Sequence, residues 1–339
     1  MKKESIIIIN NEKCVETNNG IFCENIEMKT MPESLSNHFD VRLILRKGKI
    51  NPIHKIEIQN IKISGNIFGF IYSFLKFFNN KEAKYLIVSV TPYTFFSYLF
   101  LFLARKKVFL YLRSNGLDEY RLILGKSFVW IYRFMFFFMS KKSTLLCVNE
   151  KISPVRNYKL VLPSQLNSTW LKNIQHFSRR EIKLLYVGRI KIEKGVFSLL
   201  DLFGKIKLNL PKQLTMVGHG KKLKIISDDV KILEPISKEI ELIKIYDNHN
   251  IVVLPSFTEG HPQVLLEALA RKRPVIIFEE IAFVKKYYEG VFVCKRNPYD
   301  FQKTINFIFE NFDKISRDME KNKLPLREDF IKQLVKFMS

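Results

Sequence analysis

Residues 182–195 read Ile-Lys-Leu-Leu-Tyr-Val-Gly-Arg-Ile-Lys-Ile-Glu-Lys-Gly. The apolar run at 182–187 predicts a strand, and the loop bounded by Gly188 and Gly195 opens a helix over 195–208. Glycine at each end lets the backbone turn sharply and approach a ligand. Arg189 and Lys194 set two cations beside the positive end of that helix, a combination suited to a diphosphate. Taken alone, the loop fits equally well a surface turn with two solvated charges.

The same rhythm continues outward. Strands are expected at 213–217, 251–254 and 274–278, with helices at 238–247 and 262–272. Upstream, strand candidates lie at 5–9, 41–45, 85–90, 107–112 and 144–148, with helix candidates at 66–78, 95–107 and 126–142. Such alternation argues for parallel sheets flanked by helices. It pauses through Pro154, Pro163 and the polar stretch 164–169, which we take as a connection. A chain of 339 residues exceeds the usual single domain. We therefore expect a first domain over 1–165, a second over 166–300 and a helical tail over 301–339.

Hydrophobic residues at 47% and charged residues at 26% exclude a disordered chain. Lys and Arg number 56 against 33 Asp and Glu, and residues 101–200 hold 19 of the former against 5 of the latter. That band could favour polyanions or an anionic membrane surface, although abundant Lys, Ile, Asn and Phe also suit codon bias. No helix-turn-helix, zinc or RNA-binding signature supports nucleic acid as a partner. Cys14, Cys23, Cys147 and Cys294 lack C-x-x-C spacing, and the apolar run at 6–9 is too short for a signal peptide. These features suggest a reduced, cytoplasmic protein.

The uncharged stretch 85–104 is as long as a bilayer span. Thr91 and Pro92 interrupt it, so strand, loop and helix is the preferred reading. Its helix and that at 126–142 are unusually aromatic and end in Lys or Arg, as a core helix or one lying in a membrane interface would.

Residues 254–270, Leu-Pro-Ser-Phe-Thr-Glu-Gly-His-Pro-Gln-Val-Leu-Leu-Glu-Ala-Leu-Ala, form the second informative element. A strand ends at Pro255, a polar loop follows, and Pro262 suits the first helical position. The amides of Gly260, His261 and Gln263 would face the crevice outside the carboxyl end of the sheet. Glu267, amid apolar neighbours, needs hydrogen-bond donors such as paired sugar hydroxyls.

Seven residues lie between Glu259 and Glu267, and this pattern resembles the E-x7-E signature of retaining glycosyltransferase family 4. The Gly188-Arg189-x4-Lys194-Gly195 loop is similar to that family's diphosphate loop, and Val217-Gly218-His219-Gly220 to its V-G-x-G turn. The three motifs span roughly 182–278 in family order, while the first half matches only in its rhythm. The resemblance implies an α/β GT-B fold, two Rossmann-like domains facing a central cleft, with the tail packing back on the first domain. It implies that Arg189 and Lys194 hold the donor diphosphate and offset charge on the leaving group. Glu259 would contact the transferred sugar and Glu267 the ribose, with Gly188, Gly260, His261, Pro262 and Gln263 completing the donor site. Configuration at the anomeric carbon would be retained.

Departures from the family pattern are Lys272 in place of a helix-ending glycine, so that this helix should end differently, Glu279-Glu280-Ile281 in place of a Gly-Gly loop, and Asn18-Asn19-Gly20 as a substitute for the early glycine loop. Arg113 and Asn115 are candidate acceptor contacts, a surface or structural role being the alternative for Arg113. His219, His249 and His261 form no metal-ligand cluster and no D-x-D occurs, so neither metal nor cofactor is expected. The expected partners are a nucleotide-sugar, a glycan or polyprenyl-linked acceptor and an anionic membrane surface, with the protein peripheral at the inner face of the plasma membrane. The expected role is bacterial-type surface polysaccharide assembly. The alternatives are a non-catalytic nucleotide-sugar-binding subunit and a nucleotide-sugar epimerase.

Overall fold

A computed structural model describes residues 3–78, 82–153, 157–175, 180–220 and 227–339. Pro154 of the expected connection lies outside them. The chain divides into one unit formed by 1–165 with 327–339, and a second formed by 166–326.

The second unit is a six-stranded parallel sheet in the order Val230–Leu233, Lys212–Val217, Ile182–Val187, Ile251–Leu254, Val275–Phe278, Val291–Cys294. Counted along the chain this is 3-2-1-4-5-6, a doubly wound Rossmann order. Its strands read as continuous apolar runs because helices cover both faces. The helices Val196–Lys205, Glu239–Asp247 and Gln263–Ala270 occur as the periodicity requires, trimmed by a few residues. The sixth strand, Val291–Cys294, and the third, Val230–Leu233, were not anticipated.

The first unit repeats the parallel order with Asn60–Ser64, Asp40–Lys47, Ser5–Thr17, Lys84–Val88, Val108–Leu112 and Ser143–Cys147, closed by the two-residue strand Lys159–Leu160. The long first strand outruns its parallel partners and turns back at Asn18-Asn19 to pair antiparallel with Gly20–Cys23. Asn18-Asn19-Gly20 therefore forms the turn of a hairpin. The hairpin sets Cys14 directly opposite Cys23, and burial pushes both thiols up to about 12.

The stretch 85–104 is strand, loop and helix. Thr91 caps helix Pro92–Leu103 through a reciprocal capping box with Thr94. Twelve residues span about 18 Å, against about 30 Å of bilayer hydrocarbon. Among the described residues no helix is long and apolar enough to cross a membrane.

The expected tail over 301–339 is divided. Helices Pro298–Glu310 and Phe312–Met319 bury Phe301, Ile305, Ile308 and Ile315 in the second unit's core. Only helix Arg327–Met338 joins the first unit, where Phe330, Ile331, Leu334 and Met338 enter the core. An amphipathic stripe reveals that a helix is buried without naming the sheet that buries it.

Candidate functional site

In a 3-2-1-4-5-6 sheet the first and fourth strands lie side by side with connections leaving in opposite directions, and the crevice outside their carboxyl ends accepts ligands. In the second unit these strands are Ile182–Val187 and Ile251–Leu254. The loops that follow them are the two stretches singled out in the sequence.

The loops are joined through their backbones. Gly195 has φ +67°, and a Cβ there would sit 1.9 Å from the carbonyl oxygen of Pro255. The amide of Phe257 donates to the carbonyl of Glu193 at 3.0 Å. Gly218 approaches Gly188 as tightly, a Cβ on it lying 1.9 Å from the Gly188 oxygen. A side chain at either position would push the loops apart.

On this frame Lys194 reaches Glu259, Nζ to Oε1 2.6 Å, and the Ser256 hydroxyl donates to the same oxygen at 2.6 Å. The sequence reading assigned Lys194 to phosphate and Glu259 to sugar. The structure brings them together as a mostly buried pair. Arg189 is exposed, makes no ion pair among the described residues, and has its carbonyl fixed by the Tyr186 hydroxyl at 2.7 Å. The cluster thus consists of one neutralised pair and one outward-facing cation.

Glu267 lies on helix Gln263–Ala270 at 9% exposure. Burial pushes its carboxyl up to about 7, opposed by the Tyr246 hydroxyl, which donates to Oε2 at 2.6 Å. Tyr246 comes from helix Glu239–Asp247 and was missed in the sequence, since no local spacing links it to Glu267. Pro262 is the N-cap residue, with φ −71° and ψ 115°, rather than the first helical residue, and no side chain caps the helix. Gly260 is buried, and Gln263 is the first residue of the helix. Burial pushes the imidazole of His261 down to about 4, and its buried Nε2 has no hydrogen-bond partner among the described residues. His261 is neutral at pH 7.

Arg296, also unforeseen, stacks between Phe257 and Phe278, its guanidinium carbon 4.3 Å and 4.2 Å from the ring centroids. It binds Glu280 at 2.9 Å and touches Ser198 at 3.4 Å. Glu280, where the family pattern has glycine, thus anchors the arginine that packs on the 255–259 loop.

Lys272 overturns one expectation. It adopts the left-handed conformation, φ 52°, and the amides of Lys272 and Arg273 donate to the carbonyls of Leu269 and Ala268. This is a Schellman ending, formed as a glycine would form it. Its neighbour Arg271 is 1% exposed, grips Asp247 with two nitrogens at 2.9 and 2.7 Å, and donates to the carbonyls of Trp170, Lys172 and Asn173.

In the first unit Arg113 follows strand Val108–Leu112 and is held by Glu12 at 3.0 Å and Glu27 at 3.2 Å. Burial alone would depress its pKa, but the Glu27 and Glu12 carboxylates raise it. Asn115 caps helix Gly116–Ile123, accepting from the amide of Leu117 and donating to Asp118. Both candidate acceptor contacts have structural occupations. Among the described residues no three His, Cys, Asp or Glu side chains are grouped to hold a metal.

Residues 181–311 match the family model described as Glycosyl transferases group 1. An uncharacterised glycosyltransferase of Methanocaldococcus jannaschii is 27% identical over 150 residues, 39% of this chain and 38% of that protein. The amylovoran biosynthesis glycosyltransferase AmsD of Erwinia amylovora is 24% identical over 273 residues, 74% of this chain and 75% of that protein. The chain thus spans less than half the length of the first of these relatives and three quarters of the second. Among solved structures, a sucrose-phosphate synthase from Thermosynechococcus elongatus superposes with TM-score 0.75 at 16% identity, covering 99% of this chain and 98% of that one. HepE of Anabaena, in complex with UDP and glucose, gives 0.70 at 10% identity, covering 98% and 99%. The fold is GT-B, with two Rossmann-like units.

Proposed function

We propose that the chain transfers a sugar from a nucleotide-sugar to a lipid-linked or growing glycan acceptor, with retention of anomeric configuration, as a family 4 enzyme of surface polysaccharide assembly. The observation that carries this reading is the ligation of the 188–195 and 255–262 loops at the switch point of the unit that matches the glycosyltransferase model. HepE, of the same fold, is solved with UDP and glucose.

The chemistry follows from charge. Breaking the glycosidic bond leaves negative charge on the departing diphosphate, and cations already fixed where that charge develops lower the barrier most. Arg189 is poised for this because it is exposed and makes no ion pair among the described residues. Lys194 would divide its ammonium protons between Glu259 and a phosphate oxygen. Glu259, held by Lys194 and Ser256, would accept hydrogen bonds from hydroxyls of the transferred sugar and thereby orient its anomeric carbon. Glu267 would bind the ribose hydroxyls while Tyr246 fixes its other oxygen. We place the reaction at the cytoplasmic face of the membrane, with the protein peripheral and neither metal nor cofactor required.

Thermal unfolding with UDP, GDP, ADP and CDP tests the reading. One nucleotide should raise the transition temperature, and Arg189→Ala should erase the rise. No shift with any of the four, in folded protein, would overturn the proposal.

A further inference from the structure

Three helices cover one side of the first unit's sheet: Ile67–Leu75, Pro92–Leu103 and Val129–Lys141. They lie side by side, as the ring contacts of Phe74 with Phe100 and of Phe95 with Phe134 require. Each buries one stripe against the sheet, through Phe70 and Phe74, Tyr98 and Leu101, and Tyr132 and Met139. Each also turns a second apolar stripe to the outside.

On the first helix the outer stripe is Phe68, Tyr72 and Leu75, with Phe68 81% exposed. On the second it is Phe96, Phe100 and Leu103, with Leu103 77% exposed. On the third it is Trp130, Phe134 and Phe137, with Trp130 65% exposed. All three have the spacing i, i+4, i+7, which keeps side chains on one face of a helix. A soluble surface does not repeat that spacing in three adjacent helices without something to cover it.

The three helices themselves carry charge of one sign, while Arg121 beside them is paired with Asp118 at 3.4 Å. None of the three helices contains Asp or Glu. Cations cluster at their carboxyl ends, where Lys76 lies over Tyr72, Lys141 over Phe137 and Lys142 over Phe102. Beside Trp130 an open hollow of ≈ 630 Å³ is lined by Arg121, Lys126 and Arg133, with room and charge for a phosphate head group.

We infer that this face docks on an anionic phospholipid surface, its aromatic stripes entering the interface and its lysines meeting lipid phosphate. A second copy of the chain is a poor occupant, because a symmetric contact would set these cations against each other. A spanning role is excluded for these helices by their length. The inference stands on the surface itself and does not depend on sugar transfer.

Trp130 and Trp170 are the chain's two tryptophans, and Trp170 is buried in the second unit. Trp130 emission therefore reports the face directly. With vesicles of phosphatidylcholine plus phosphatidylglycerol, and no nucleotide present, emission should shift to the blue and be quenched by brominated lipid. Neutral phosphatidylcholine vesicles should bind at least tenfold more weakly. K76Q/K141Q/K142Q should weaken anionic binding by about fivefold per lysine, and F134Q/F137Q should reduce quenching with an unchanged circular dichroism melt. If the aromatic variant fails to fold, quenching of Trp130 in the wild-type chain decides. No quenching, equal binding to neutral vesicles, or a concentration-dependent dimer that shields Trp130 would each overturn the inference. Because the assay contains no donor, its failure leaves the nucleotide result untouched, and the reverse holds as well.

Discussion

Lys194 and Glu259 lie 65 residues apart in sequence and 2.6 Å apart in space. Their pairing joins the loop after the first strand of the second unit to the loop after the fourth.

Lys194→Ala should leave Glu259 held only by Ser256 and remove one cation from the diphosphate. Nucleotide affinity is expected to fall by roughly tenfold or more, about 1.4 kcal/mol, measured by calorimetry with the nucleotide that stabilises the wild type. Unchanged affinity would remove Lys194 from the diphosphate site.

Glu267 gives a pH signature. Its folded pKa, about 7, lies above the ordinary carboxylate value of 4.5. Between those values the native state binds more protons than the unfolded one, so stability falls as pH rises. The contribution is complete below about 4.5 and gone above about 7, and amounts to at most about 3 kcal/mol. Glu267→Gln should flatten this slope in urea melts taken from pH 4.5 to 8. An identical slope in the variant would refute the assignment.

Lys272 holds a left-handed backbone that costs a side-chain-bearing residue about 1–2 kcal/mol. Lys272→Gly should stabilise the second unit by about 0.5–1 kcal/mol, reduced slightly by loss of the exposed Lys272–Glu320 pair. Lys272→Ala should give no gain. Denaturant midpoints at constant m-value separate the two.

Arg271→Ala would leave three carbonyls unpaired and buried Asp247 with only the longer contact to Arg273, at 3.6 Å. A loss of about 3–5 kcal/mol is expected, enough to unfold the second unit before the first in a proteolysis time course. Arg271→Lys should not rescue, since one ammonium cannot span five oxygens.

The fold was legible wherever burial imposes a period. Ile182–Val187 and Ile251–Leu254 read as strands because both of their faces are covered. Edge strands were not: Asn60–Ser64 carries its alternation over only five residues with two apolar ones, and His54–Lys55 is too short for any pattern. Among site residues, Gly188, Arg189, Lys194, Gly195, Glu259 and Glu267 stood out through local spacing. Tyr246, Ser256 and Arg296 did not, because their significance lies in contacts between elements distant in sequence.

By itself, then, the sequence determined two α/β halves, four of the six strands in the second with the helices between them, and the two glycine-marked loops, since these rest on periodicity and turn chemistry that each segment carries alone. Tertiary structure decided which side chains meet. It paired Lys194 with Glu259, left Arg189 exposed, committed Arg113 to Glu12 and Glu27, and returned only residues 327–339 to the first unit. It also decided that the aromatic stripes of three helices face outward, because a helix apolar on every side states no preference until a sheet has taken one face.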